Sequence, residues 1–180
     1  MKLLGISGSL RQGSNNIRLL SVAASLMPAP VVFEIADCLD RLPHFNPDLA
    51  TDDLPVVRDW VDQVRASDGL IISTPEYARG YPGTLKNSLD WLVQTDAHID
   101  KPFMMLNGSA RSTVGQKTLI TVLETMSGIH IESASVTIPL LGKNLDERQI
   151  LDNAEWSEQI RQALDTFAGA ISARSGPAKI

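Results

Sequence analysis

Apolar positions along the chain fall into two alternating kinds of group. Short continuous runs occupy 2–7, 31–35, 70–74 and 102–106, and a looser alternating run covers 129–138. Runs of this length are the signature of strands buried on both faces. Between them, apolar residues recur every three or four positions, the helical spacing. Ile17, Leu20, Ala24 and Met27 mark a helix over 15–27 that Pro28 and Pro30 end. Val57, Trp60, Val61 and Val64 mark another over 56–66, and Leu85, Leu89 and Leu92 a third over 84–94. Two more are expected at 114–126 and 147–173. Strand and helix therefore alternate five times. This order predicts a parallel sheet sandwiched by helices, joined by right-handed crossovers.

With five strands and a glycine-rich loop after the first, the expected architecture is an α/β three-layer sandwich of the flavodoxin-like kind. Its five-stranded parallel sheet has order 2-1-3-4-5, with helices on both faces. Ligands of such sheets sit at the carboxyl ends of the strands, where the strand order reverses between the first and third. Residues 1–175 read as a single domain and 176–180 as a frayed tail.

Two loops at those carboxyl ends hold the chemistry. The first runs Gly5-Ile6-Ser7-Gly8-Ser9-Leu10-Arg11-Gln12-Gly13-Ser14-Asn15-Asn16. Its glycines permit a sharp turn and close backbone approach. Its hydroxyls, amides, guanidinium and helix-start N–H groups, Asn15 and Ile17 included, are the groups that bind a phosphate. Neither the G-x-G-x-x-G dinucleotide pattern nor the Gly-Lys-Ser/Thr of a triphosphate loop is present, which leaves a terminal phosphate monoester. A plain strand-to-helix turn capped by Ser14 or Asn15 is the other reading. The second loop lies within Thr74-Pro75-Glu76-Tyr77-Ala78-Arg79-Gly80-Tyr81-Pro82-Gly83. Its prolines and glycines hold an irregular backbone whose N–H and C=O groups can read the edge of a flat heterocycle. Tyr77 and Tyr81 offer aromatic surface to a ring or to protein packing.

Composition narrows the setting. The 180 residues are 43% hydrophobic and 21% charged, with a formal net charge of -5, which argues against a general nucleic-acid binder. The lone Cys38 excludes an internal disulfide, is expected buried, and fits a reducing cytoplasm. His44, His98 and His130 form no metal-ligand spacing, so no metal site is expected. No apolar run reaches membrane length, and the N-terminus does not read as a signal peptide.

Together these segments resemble the NADPH-dependent FMN reductase family, which has the flavodoxin-like fold and includes quinone, chromate and azo-dye reductases. The likeness is sharpest at Gly8-Ser9-Leu10-Arg11 with Ser14 and Asn16. It is equally sharp at Pro75-Glu76-Tyr77 with Pro82-Gly83, Leu85-Lys86-Asn87 and Asp90-Trp91. A weaker match is Gly108-Ser109 with Gly115-Gln116. The resemblance implies that Ser9, Arg11, Ser14 and Asn16 hold an FMN phosphate. Pro75, Glu76, Tyr77, Ala78 and Arg79 would line the isoalloxazine ring, with Ser109 approaching it from the third loop. It also implies NADPH as co-substrate (NADH being possible), a small-molecule electron acceptor, ping-pong kinetics, and a homodimer or homotetramer with the 85–91 helix at the subunit contact. Partners are neither nucleic acid nor membrane. No catalytic side chain is required, because the flavin carries the chemistry. One departure stands out: the family commonly has Asn where this chain has Ala78, followed by Arg79. A flavodoxin-like electron carrier reduced by a partner protein is the alternative. A receiver-like signalling domain lacks its acidic cluster and phosphoacceptor Asp here. A serine hydrolase would need Ser7 or Ser9 in G-x-S-x-G, and neither is.

Overall fold

The computed structural model describes residues 1–175; the tail expected at 176–180 lies outside them. Strand β1 (Lys2–Ser7) is the axis of the sheet. It pairs in parallel with β2 (Val32–Ile35) on one side and β3 (Gly69–Ser73) on the other. Beyond β3 come β4 (Pro102–Asn107) and β5 (Ile129–His130), giving the order β2-β1-β3-β4-β5. This is the flavodoxin-like order expected from the sequence. The register aligns Ser7 with Ser73, so the first and third strands end level where the order reverses.

Alternation within each strand builds two cores. Leu4, Ile6, Leu70, Ile72, Phe103 and Met105 face helices α2 (Pro55–Ala66), α3 (Gly83–Val93) and α4 (Val114–Thr125). Leu3, Ile71, Met104 and Leu106 face α1 (Asn15–Leu26) and the C-terminal helices. Because both faces are covered, the central strands carry apolar residues at nearly every position. Cys38 is buried beside the first of these cores, and burial pushes its thiol pKa up.

Two elements differ from expectation. The strand expected over 129–138 is broken into β5 and β6 (Val136–Thr137), both paired with β4, with a 3-10 turn at Glu132–Ala134 between them. The turn sinks Ala134 into the core on the α1 side. In the gap, the Ser135 hydroxyl accepts the Met105 N–H at 3.0 Å, so a side chain replaces a ladder bond. The helix expected over 147–173 is two helices, α5 (Glu147–Leu151) and α6 (Ala154–Ser175). Asp146 and Gln149 form a capping box at the start of α5. Asn153 then restarts the chain, its side-chain oxygen accepting the Trp156 N–H at 3.0 Å. An Asn in that position favours a new N-cap over continuation.

The long connection after β2 is clipped to α3. Asn87 Nδ2 and Trp91 Nε1 both donate to Pro43 O, at 2.9 and 2.8 Å, and Asn87 Oδ1 accepts the Phe45 N–H at 2.8 Å. Phe45 meets the Trp91 ring edge-on at 5.2 Å. Lys86 pairs with Asp90 one turn on. The apolar residues of the 85–91 segment expected at a subunit contact, Leu85, Leu89 and Trp91, are buried in this chain's own core, as is Leu92, and Val93 is exposed. No helix among the described residues is long and apolar enough to cross a membrane.

Candidate functional site

The first loop leaves β1 where Gly8 N–H donates to Ser73 O at 2.9 Å. A Cβ at Gly8 would stand 2.1 Å from Thr74 Oγ1, so the crossing admits only glycine. The loop then turns on itself: Arg11 N–H reaches Ser9 Oγ at 3.3 Å and Ser14 N–H reaches Arg11 O at 3.1 Å. Ser14 is the N-cap of α1, with only 4% of its surface exposed. Its hydroxyl oxygen accepts from both Asn16 N–H (3.2 Å) and Asn16 Nδ2 (3.3 Å). Asn16 Oδ1 in turn accepts the Ser73 hydroxyl at 3.1 Å. With its oxygen engaged twice by donors, the Ser14 hydroxyl keeps its proton to offer elsewhere.

The second loop is a tight hairpin. Tyr77 and Gly80 exchange both backbone hydrogen bonds, at 2.8 and 2.9 Å, around Ala78 (φ 50°) and Arg79 (φ 63°). Two consecutive left-handed residues make a type I′ turn, which favours Asn-Gly. The Glu76 carboxylate accepts the Gly115 N–H at 2.8 Å, tying this loop to the first turn of α4. The third loop is closed by Asn107. Its amide oxygen accepts Ser109 N–H at 3.0 Å, and its Nδ2 donates to Ser109 O at 2.8 Å and Gln116 Oε1 at 2.7 Å.

These loops enclose one cleft of about 570 Å³ at the carboxyl end of the sheet. Ser9, Arg11, Ser14, Asn15, Asn16, Pro75, Glu76, Tyr77 and Ser109 line it together. Ile17 does not line it, although it stands inside α1 between Asn16 and Arg18, which both do. Ala78 and Arg79 lie outside it, at the hairpin tip. Tyr77 borders the cleft with 58% of its surface exposed, whereas Tyr81 does not line it. Tyr81 packs instead against the core on the α2–α4 side, where burial raises its phenol pKa.

The lining also contains residues that sequence reasoning missed. Arg18 follows Asn15 by one helical turn and donates to its Oδ1 at 3.2 Å. Leu141, Gly142, Lys143 and Asn144 come from a fourth loop, after β6. The carboxyl-end rule that selected the other loops also points to this one. Asn107 belongs too; it directly precedes the weaker Gly108-Ser109 motif, which did not include it.

A family model for NADPH-dependent FMN reductase matches residues 1–141. The chain belongs to that family. It is 40% identical over 113 residues to an NAD(P)H-dependent FMN reductase of Pseudomonas aeruginosa, covering 61% of this chain and 60% of the relative. It is 42% identical over 91 residues to a 2-hydroxy-1,4-benzoquinone reductase of a Burkholderia species, covering 51% of this chain and 49% of the relative. The chain thus spans half to three-fifths of the length of these curated relatives. Among solved structures, a flavoenzyme NAD(P)H:(acceptor) oxidoreductase from Paracoccus denitrificans superposes with a TM-score of 0.78 at 23% identity, over 96% of this chain and 97% of that one. That likeness carries the fold.

Charge in the cleft is one-sided. Arg11, Arg18 and Lys143 line it, and Glu76 is the sole carboxylate among its described lining residues. No ion pair among the described residues engages those three cations, and the Glu76 carboxylate is engaged by Gly115.

Proposed function

We propose that this chain is an FMN-dependent NAD(P)H oxidoreductase that passes electrons to quinones, azo compounds, metal oxyanions or free flavin. The observation that supports it most is the Ser9–Arg11–Ser14–Asn16 cradle at the topological switch point, which opens into the same cleft as Pro75, Glu76 and Tyr77. The donor set fits a phosphate monoester. Two nearly buried hydroxyls hold free protons, the α1 N-terminus presents N–H groups, and Arg11 adds charge.

Bound FMN would supply the two-electron chemistry, taking hydride from a nicotinamide and releasing electrons to an acceptor. Ser9, Ser14, Asn16 and the backbone N–H groups of Asn15 and Ile17 would fix the phosphate end, with Arg11 closing over it. The Pro75–Tyr77 backbone would meet the ring, Ser109 would approach from the third loop, and Ala78 and Arg79 would bound the ring at the hairpin. The Tyr77 ring sits at the open side of the cleft, where a nicotinamide and an acceptor would take turns. A shared position of that kind gives ping-pong kinetics. The working unit would be the single domain 1–175, in a homodimer or homotetramer. Exposed Leu10, Tyr77 and Val114, on or beside the three loops, would be covered by a second copy. A reducing cytoplasm suits the lone buried thiol.

The test is the visible spectrum of purified protein reconstituted with FMN, before and after anaerobic NADPH. A bound flavin that bleaches supports the reductase reading. A bound flavin that stays oxidised moves the chain to the electron carriers, and failure to retain FMN overturns the cradle.

A further inference from the structure

Asn15 is a two-sided clamp at the outer edge of the cleft. Its Oδ1 accepts Arg18 Nη1 at 3.2 Å, and its Nδ2 donates to Leu140 O at 3.2 Å. One amide therefore positions a cation on α1 and the loop that carries Lys143. The guanidinium of Arg18 packs over Gly13, where a Cβ would come within 3.1 Å of Nη2. Lys143 is steadied by the Trp156 ring, its Nζ 4.5 Å from the centroid, and its N–H donates to Leu140 O at 2.9 Å. Gly142, at φ 76°, makes the turn that brings the lysine round.

Neither cation is needed for the cradle proposed above. That cradle has its own guanidinium, Arg11, and its hydroxyls on the buried side of the loop. Arg18 and Lys143 remain as two positively charged residues lining the same cleft, with no acidic partner among the described residues. Long cationic side chains held by an amide and an indole lose less freedom on binding than free ones, so they are suited to capture an anion.

We propose that Arg18 and Lys143 form a second anion subsite, which takes a phosphate group of the nicotinamide dinucleotide and, at the 2′-phosphate, sets preference for NADPH over NADH. The proposal rests on the reading of the cleft as an FMN and NAD(P)H site. A 2′-phosphate monoester brings about two negative charges at neutral pH. It therefore gains most from a pair of cations. The pyrophosphate common to NADPH and NADH is the other source of the same chemistry.

The experiment is calorimetric binding of NADP+ and NAD+ to the FMN-loaded protein, for wild type, Lys143→Gln and Arg18→Gln. FMN affinity is measured separately by quenching of flavin fluorescence. Arg161→Gln, an exposed cation on α6 outside the cleft, controls for net charge. The expected result is roughly a tenfold loss of NADP+ affinity in each cleft variant, the scale of one charge-assisted contact. NAD+ and FMN affinities should change less than twofold. An equal loss for NADP+ and NAD+ supports the subsite with the pyrophosphate as its occupant. A loss of FMN affinity matching that of NADP+ overturns it, because the cations would then belong to the flavin phosphate. No change beyond that of Arg161→Gln overturns it as well. If wild-type protein retains no FMN, the reading beneath it has failed, and the fluorescence titration shows that separately.

Discussion

Glu76 Oε2 and Gly115 N are joined at 2.8 Å, and this bond locks the second loop onto the first turn of α4. The contact explains two matched motif positions at once. The carboxylate complements the positive end of α4, whose own N-cap, Thr113, makes no side-chain bond. Gly115 must be glycine because Gly80 lies against it. A Cβ there would stand 2.9 Å from both the carbonyl carbon and the oxygen of Gly80, which are backbone atoms and cannot swing aside.

Gly115→Ala should therefore cost about 1–3 kcal/mol, the usual penalty of overpacking. Urea unfolding should show the lower midpoint. FMN affinity should fall with it, because the displaced Gly80 belongs to the hairpin that starts at Tyr77. An unchanged midpoint would show that the two loops are not locked.

The Ala78-Arg79 pair carries backbone strain. Each adopts a left-handed conformation, costing about 1 kcal/mol for a side chain without local compensation. Arg79→Gly should raise stability by about that amount, and Ala78→Asn by somewhat less. Thermal unfolding should register both as upward shifts in Tm. A lower Tm for Arg79→Gly would mean that the arginine side chain contributes more than its backbone costs.

Ser14→Ala removes an N-cap and a cleft donor together. The cap loss should destabilise the fold by about 1 kcal/mol. FMN affinity should fall at least tenfold, since a hydrogen bond to a charged phosphate is worth about 1.5–3 kcal/mol. Ser14→Thr keeps the hydroxyl and should restore most of both. Chemical denaturation and fluorescence quenching read the two effects separately.

Stability should decline in mild acid. Burial holds the pKa of His98 and His130 below the ordinary 6.5, against the raising influence of Asp96 on the first and of Glu124 and Glu132 on the second. The unfolded chain then binds protons that the folded chain does not. The histidines' contribution is complete above about pH 6.5 and drains away as pH falls towards their depressed folded values. His130 stacks on Phe103 with centroids 5.0 Å apart and meets Ser135 Oγ at 2.9 Å. His130→Gln should flatten the slope of Tm between pH 7 and 5. A slope identical to wild type would exclude it as a contributor.

Most of the fold was legible because strands buried on both faces write themselves as unbroken apolar runs. The ends of β1 through β4 fall within one residue of those runs. The break between β5 and β6 was not legible. Ile129, Ile131, Val136 and Ile138 keep strand-like apolar content across it, and the hydroxyl of Ser135 that fills the gap acts on a residue 30 positions away. The break before α6 had a local sign in Asn153, outweighed by the apolar periodicity that runs through it. At the site, the cradle was readable because its groups are adjacent in sequence. Lys143 was not, because its place depends on Asn15 reaching across to Leu140. The packing of Tyr81 away from the cleft depends likewise on the hairpin's direction.

The clip between α3 and the connection after β2 has a consequence for how this protein can change. Asn87 and Trp91 grip Pro43 and Phe45 almost wholly through main-chain atoms. The path of that connection is thus secured with little regard to which side chains it carries, Phe45 apart. Its outward positions, such as Asp48 and Leu49, form a bracketed stretch where new sequence can be spliced or selected while the hardware that mounts it stays on the helix.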